Sequence, residues 1–361
     1  MNKNSSIAIV AGIAIAIAVI ASVLAFSGIS NDSTPMESPE QANLVPQAEK
    51  ITILTSFYPY HEFTKNVAGD FADVKQFMPN GVEAHDWEPR AQEIQSLKDA
   101  DVFVYNGLGM ESYIENIIES GEFDNVVFLK ASEGVELLKF EDDHDDHAKH
   151  DDHDDPDDHD EHAKEDDHDD HDEHEEGGHD GHDHDYEFDP HIWLDPILVK
   201  QQVNVIRDGL IQVDPDNKEH YEENARIYND KMDALDMKIG SALSSCQKDT
   251  IVPYHNAFTY LGERYDIHIM ALGGMAPDAE ASAAEIAEFV DFVKDNDIKV
   301  IFSEDLVDPR LAEVIAEEAN AQVLLFSPLE ALTKEEAGTN VSYIDKMEDN
   351  LDSLKVALEC Q

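Results

Sequence analysis

The chain has 361 residues and a formal net charge of −57, so no basic stripe is available to neutralise phosphates, and nucleic acid is excluded as a partner. Apolar residues make up 42%, which supports cores of ordinary size and allows two domains. Part of the charge is local, since residues 141–185 carry 25 acids against Lys149 and Lys164, but the rest of the chain is acidic too. Such a surface favours solubility and concentrates cations, and it equally fits adaptation of a whole proteome to salt.

In chain order, residues 7–26 (IAIVAGIAIAIAVIASVLAF) are apolar and uncharged, long enough to span a bilayer as a helix. They exceed the usual apolar core of a cleaved signal. Lys3 places the N-terminus inside and the remainder outside. The expectation is a membrane anchor or signal segment over 1–30, with no lipidated cysteine after it. Residues 31–49, rich in Ser, Pro and polar groups, read as a tether.

ITILTSFYPY (51–60) reads as a strand stopped at Pro59, with a helix beginning at EFTKNVAGD. DVKQFMP reads as a strand, EPRAQEIQSLKDA as an amphipathic helix, DVFVYNG as a buried strand, and FDNVVFLKAS as another. Continuous apolar strands alternating with helices predict a parallel sheet covered by helices. From Glu141 to Asp185 there is almost nothing to bury, so a disordered segment is expected. A helix over 196–212 and a long one over 214–243 follow, the latter about 45 Å at 1.5 Å per residue. Then DTIVPYH, IHIMALGG, KVIFSED and VLLFSP read as strands. Helices are expected at AFTYLGERY, 281–296, PRLAEVIAEEANA and 340–358. The fold class is thus α/β, with an N-terminal lobe over 50–212, a linking helix over 213–245 and a second α/β lobe over 246–361. A ligand belongs between the lobes, at the carboxyl ends of strands.

Cys246 and Cys360 are the two cysteines. An exported compartment permits a disulfide between them.

The chemistry concentrates on histidine. Residues 144–184 hold twelve, largely in DDH units. Imidazole and carboxylate both take divalent metals, but a flexible chain cannot enforce one geometry, so many weak, exchangeable sites are expected. A solvated acidic linker would need no histidines. Outside the tract, His85 (PNGVEAHDWEP), His191 (DPHIWLDP) and His255 (PYHNAF) all sit on loops at strand ends or helix starts. Three imidazoles converging from separate loops make a zinc-like set. His61 follows the first strand and is a weaker candidate ligand. His220, on a charged helix, reads as solvated. His268, alternating with isoleucines, reads as a half-buried strand residue. Asp86, Asp189 and Asp195 neighbour the candidate ligands and either orient imidazole N–H groups or cap helices.

GVEAHDWEP, DVFVYNGLGME, DPHIWLDP, HNAFTYLGERY and PLEAL, in this order, resemble the zinc/manganese class of ABC-transporter substrate-binding proteins over residues 50–360. The likeness is strongest to the zinc-specific branch, which often carries a His-rich acidic loop. The resemblance implies two α/β domains joined by a rigid helix, with metal in the interdomain cleft. It assigns His85, His191 and His255 as ligands. Many members place an aspartate before the last Pro-Leu; here that position is Ser327, which turns attention to Glu330 or a water as the fourth ligand. Three imidazoles with at most one carboxylate favour Zn(2+) over Mn(2+). The implied partners are a membrane permease and its ATPase, the location is extracytoplasmic, and the chain is expected to act as a monomer.

Other classes fare less well. An open three-His site suits a catalytic zinc, but Glu304 is the one nameable general base, and no HExxH, nucleophile elbow or phosphate loop appears. An enzyme is not expected. A manganese-binding counterpart, or a surface adhesin or metal-storage protein, is the alternative.

Overall fold

The computed structural model describes residues 50–139, 187–273 and 282–361. The anchor, the tether and the His/Asp tract lie outside the described residues. Among the described residues no helix is long and apolar enough to cross a membrane. The described residues belong to one compact unit.

Strands β1 (Ile51–Thr55), β2 (Ala72–Gln76), β3 (Val102–Tyr105) and β4 (Val127–Lys130) form a parallel sheet in the order β2-β1-β3-β4. The central strand β3, VFVY, is buried throughout, as an inner strand covered on both faces requires. The second lobe pairs β5 (Thr250–Ile251) with β6 (His268–Ile269), and β7 (Val300–Ser303) with β8 (Gln322–Leu325), again parallel. Phe302 N donates to Val252 O at 2.9 Å, setting β7 beside the chain that leaves β5. The two pairs are separate two-stranded sheets, and this contact brings them side by side.

Several boundaries differ from the sequence expectation. The first helix, α1, spans Tyr58–Ala68, with Pro59 in its first turn. Proline there starts a helix instead of ending a strand, because its fixed φ suits the first turn and its missing N–H is not needed. The expected helix at 88–100 is shorter, α2 (Ala91–Ser96), and closes in a 3₁₀ turn; a further short helix, α3 (Ile114–Glu119), was not anticipated. After α4 (Pro196–Val213), the long helix α5 begins at Lys218 and ends at Leu243; Pro215 opens a separate 3₁₀ turn. Its 26 residues span about 39 Å. Tyr221, Ala225, Tyr228, Met232, Leu235 and Ile239 are its buried stripe, spaced by threes and fours. The helices α6 (Thr259–Tyr265), α7 (Ala283–Asp295), α8 (Arg310–Ala319) and α9 (Tyr343–Ala357) complete the second lobe.

One core runs through both lobes. It includes Ile53, Phe57 and Trp193 from the first, and Phe258, Phe302, Phe326 and Tyr343 from the second. Phe57 and Trp193 meet edge to face at 5.1 Å, and Phe63 on α1 meets Tyr343 on α9 at 5.2 Å. Smaller cores lie outside each sheet, around Phe77 and Phe103 and around Val293 and Ile301. A disulfide joins Cys246, just past α5, to Cys360.

Candidate metal centre

Four side chains meet where the strand ends of the two lobes face each other. His85 lies on the loop after β2, and His191 on the loop before α4. His255 follows β5, and Glu330 follows β8. All four are buried, with exposures of 4%, 0%, 0% and 4%. One donor atom from each lies within 4.8 Å of all the others.

Glu330 Oε1 is 3.3 Å from His85 Nε2, 3.6 Å from His191 Nε2 and 3.5 Å from His255 Nε2. The His85 and His191 Nε2 atoms are 3.3 Å apart. Glu330 Oε1 and His255 Nε2 make no hydrogen bond. Buried polar atoms left in this state are costly, unless a cation shares them. Zinc–nitrogen bonds of about 2.0–2.1 Å place tetrahedral ligands roughly 3.3–3.4 Å apart. The separations of the three imidazoles from Glu330 Oε1, and of His85 from His191, are close to that frame.

Each loop is pinned from behind. His191 Nδ1 lies 2.8 Å from Asp189 Oδ1, which also accepts the His191 N–H at 2.9 Å. Asn106 Nδ2 donates to Pro190 O at 3.0 Å, and Tyr260 OH donates to Asp189 O at 2.9 Å. His255 Nδ1 lies 2.7 Å from Glu304 Oε1, which accepts the His255 N–H at 3.1 Å. In the neutral rings these carboxylates hold the proton on Nδ1, so that Nε2 turns a lone pair toward the common point once its own proton has left.

Charge follows from this packing. For His255, burial opposes the charged form, but Glu304 and Glu330 outweigh it and hold the pKa well above the usual histidine value. His191 is raised in the same way, burial being outweighed by Asp189. Burial lowers His85. Burial opposes ionisation of Glu330 as well, yet the three imidazoles hold its carboxyl well below the usual range. Glu83, whose oxygens accept the N–H groups of His85 at 3.1 Å and Asp86 at 3.0 Å, is pushed up to about 9 by burial and by Glu330.

The remaining candidates part company. His61, on α1, is not in the group of four; its Nδ1 is buried without a hydrogen bond, and burial lowers its pKa to about 4. Asp195 caps α4, accepting from Ile197 N at 2.6 Å, and Asp86 is exposed. His220 is exposed but stacks on Phe71 at 3.8 Å. His268 is exposed, not half-buried, because β6 is a two-residue edge strand. Glu304 is 5% exposed and committed to His255, so it is not a base facing open water. Sequence reasoning missed its partnership with His255 and the role of Glu83 behind His85. A carboxylate closing an apolar strand (VIFSE) was the available signal for the first.

The family described as "Zinc-uptake complex component A periplasmic" matches residues 53–357. The chain belongs to this family. Within it, the high-affinity zinc uptake system protein ZnuA of Bacillus subtilis is 35% identical over 313 residues, covering 86% of this chain and 89% of that protein. The zinc-binding lipoprotein AdcA of Streptococcus pneumoniae is 37% identical over 310 residues; the match covers 85% of this chain and 55% of AdcA, so this chain spans about half of that relative. The crystal structure of the Zn(II)-bound ZnuA-like domain of the same AdcA superposes with a TM-score of 0.67 at 34% identity, covering 86% of this chain and 100% of that one.

Proposed function

We propose that the chain is the extracytoplasmic solute-binding component of an ABC transporter, capturing Zn(2+) and delivering it to a membrane permease driven by an ATPase. The carrying observation is the buried set of four donor atoms: His85, His191 and His255 Nε2 lie 3.3–3.6 Å from Glu330 Oε1, and all four lie within 4.8 Å of one another. Three imidazoles and one carboxylate suit zinc better than manganese, which prefers oxygen ligands in a six-coordinate shell. Membership of a zinc-uptake family supports the same metal. In this reading residues 50–212 and 246–361 are the lobes, each supplying two ligands, and 213–245 join them. The segment over 1–30 keeps the protein at the outer membrane face, and the tract over 141–185 gathers zinc weakly before the buried site takes it. The disulfide fits an oxidising compartment.

Competitive zinc and manganese titration, with and without residues 141–185, tests this. One tight, zinc-preferring site should survive loss of the tract and fail in His85→Ala, His191→Ala, His255→Ala and Glu330→Ala. Weak binding that disappears with the tract would leave a metal buffer and refute the transport reading.

A further inference from the structure

The turn that carries Glu330 is unusually constrained. Leu329, immediately before it, has φ +59° and is fully buried. A branched, non-glycine residue rarely adopts that left-handed backbone unless its surroundings enforce it. Here they do. Asn350 Oδ1 accepts Ser327 N at 2.8 Å, and Asn350 Nδ2 donates to Ser327 O at 2.7 Å. Ser327 Oγ accepts Leu329 N at 3.2 Å. A second carbonyl of the turn, Pro328 O, accepts the indole N–H of Trp193 at 2.7 Å.

Trp193 belongs to the other lobe. It sits two residues after His191, their rings 5.1 Å apart, and Tyr343 OH donates to its carbonyl at 2.6 Å. Its ring is wedged edge-on against Phe57 at 5.1 Å and Tyr60 at 6.5 Å. One rigid side chain thus spans from the loop of one ligand to the turn of another.

We propose that Trp193 is a specificity-determining positioning residue: by holding the Ser327–Glu330 turn it presents a single carboxylate oxygen at tetrahedral spacing and so selects zinc over larger, six-coordinate cations. The proposal rests on the zinc-site reading above. A turn free to shift would let Glu330 offer both oxygens and admit longer bonds and added water, the preference of manganese. Ser327 takes part through its hydroxyl, which accepts Leu329 N and braces the turn.

The test uses the full chain with Trp193→Phe, which removes the N–H donor while keeping an aromatic ring, and Ser327→Ala, a milder change. Cobalt(II) replaces zinc as a spectroscopic probe. Spectra are taken as differences against the His191→Ala chain, which keeps the tract. Four-coordinate cobalt absorbs far more strongly in the visible than six-coordinate cobalt. In Trp193→Phe the visible bands should weaken by about threefold or more, and the zinc-to-manganese affinity ratio should fall about tenfold. Ser327→Ala should move both the same way by less. A purely structural role would lower the melting temperature and leave the bands and the ratio unchanged, and that result overturns the proposal. If Trp193→Phe does not fold, an unchanged Ser327→Ala overturns it equally. A wild-type chain without a tight zinc site would sink the functional reading itself; a tight wild-type site with both variants unchanged would sink this inference alone.

Discussion

The Glu304 carboxylate holds His255 by two atoms at once, its ring Nδ1 at 2.7 Å and its backbone N–H at 3.1 Å. Forty-nine residues separate the two in sequence. One carboxylate therefore sets both the place of the loop and the tautomer of the ring. Glu304→Gln keeps the shape and removes the charge. Zinc affinity should fall about 10–100-fold with little change in folding. Asp189→Asn should do the same through His191. Competitive chelator titration reads both; an affinity within twofold of wild type would show that neither carboxylate matters to the site.

In the proposed site, zinc competes with protons for the same nitrogens. The raised pKa values of His191 and His255 mean that, without metal, they hold protons at and above pH 6.5. Zinc must expel them, so affinity rises with pH through neutrality and falls as pH drops. His85, lowered by burial, competes only under more acid conditions. Calorimetry at pH 7 in buffers of different ionisation enthalpy should reveal release of about one proton or more per zinc. Equal affinity at pH 5 and pH 8 would contradict this arrangement.

His61 predicts a separate effect on stability. Its pKa falls from 6.5 unfolded to about 4 folded, with burial as the main cause and Lys65 adding to it. Below pH 6.5 the unfolded chain takes up a proton that the folded chain refuses. Stability is therefore full above pH 6.5 and is lost as pH falls toward 4. After allowance for partial exposure, the loss is about 2 kcal/mol. In His61→Gln, denaturant midpoints between pH 6.5 and 4 should decline less steeply than in wild type. Parallel curves would remove His61 from the account.

The Cys246–Cys360 bond closes a loop with a sequence separation of 114 residues. Loop-closure entropy assigns such a link about 4–5 kcal/mol. Cys246→Ser with Cys360→Ser should lower the urea midpoint accordingly and leave the proposed zinc site in place, so zinc should still raise the melting temperature. No change in midpoint would mean that the link is idle.

The sequence was most legible where chemistry and periodicity are local. Apolar runs such as VFVY announced buried strands, and His85, His191 and His255 were readable because each interrupts a strand-to-helix junction. Glu330 was reachable only through the missing aspartate at Ser327. Glu304 was misread because its burial depends on a histidine brought from another loop, and no local pattern encodes that. Pro59 misled for a different reason, since proline both ends strands and begins helices. His268 shared its alternation with less exposed isoleucines, but among the described residues its strand pairs on one side only, so the expected half-burial does not arise.

The core shared by the two lobes has a mechanical consequence. Phe57, Trp193 and Phe63 from one side and Tyr343 and Phe326 from the other are at most 2% exposed. Swinging the lobes apart like jaws would wet that whole aromatic seam at once, and each large ring brought into water costs roughly 1.5–3 kcal/mol. The shared seam therefore ties the two lobes into one stiff body.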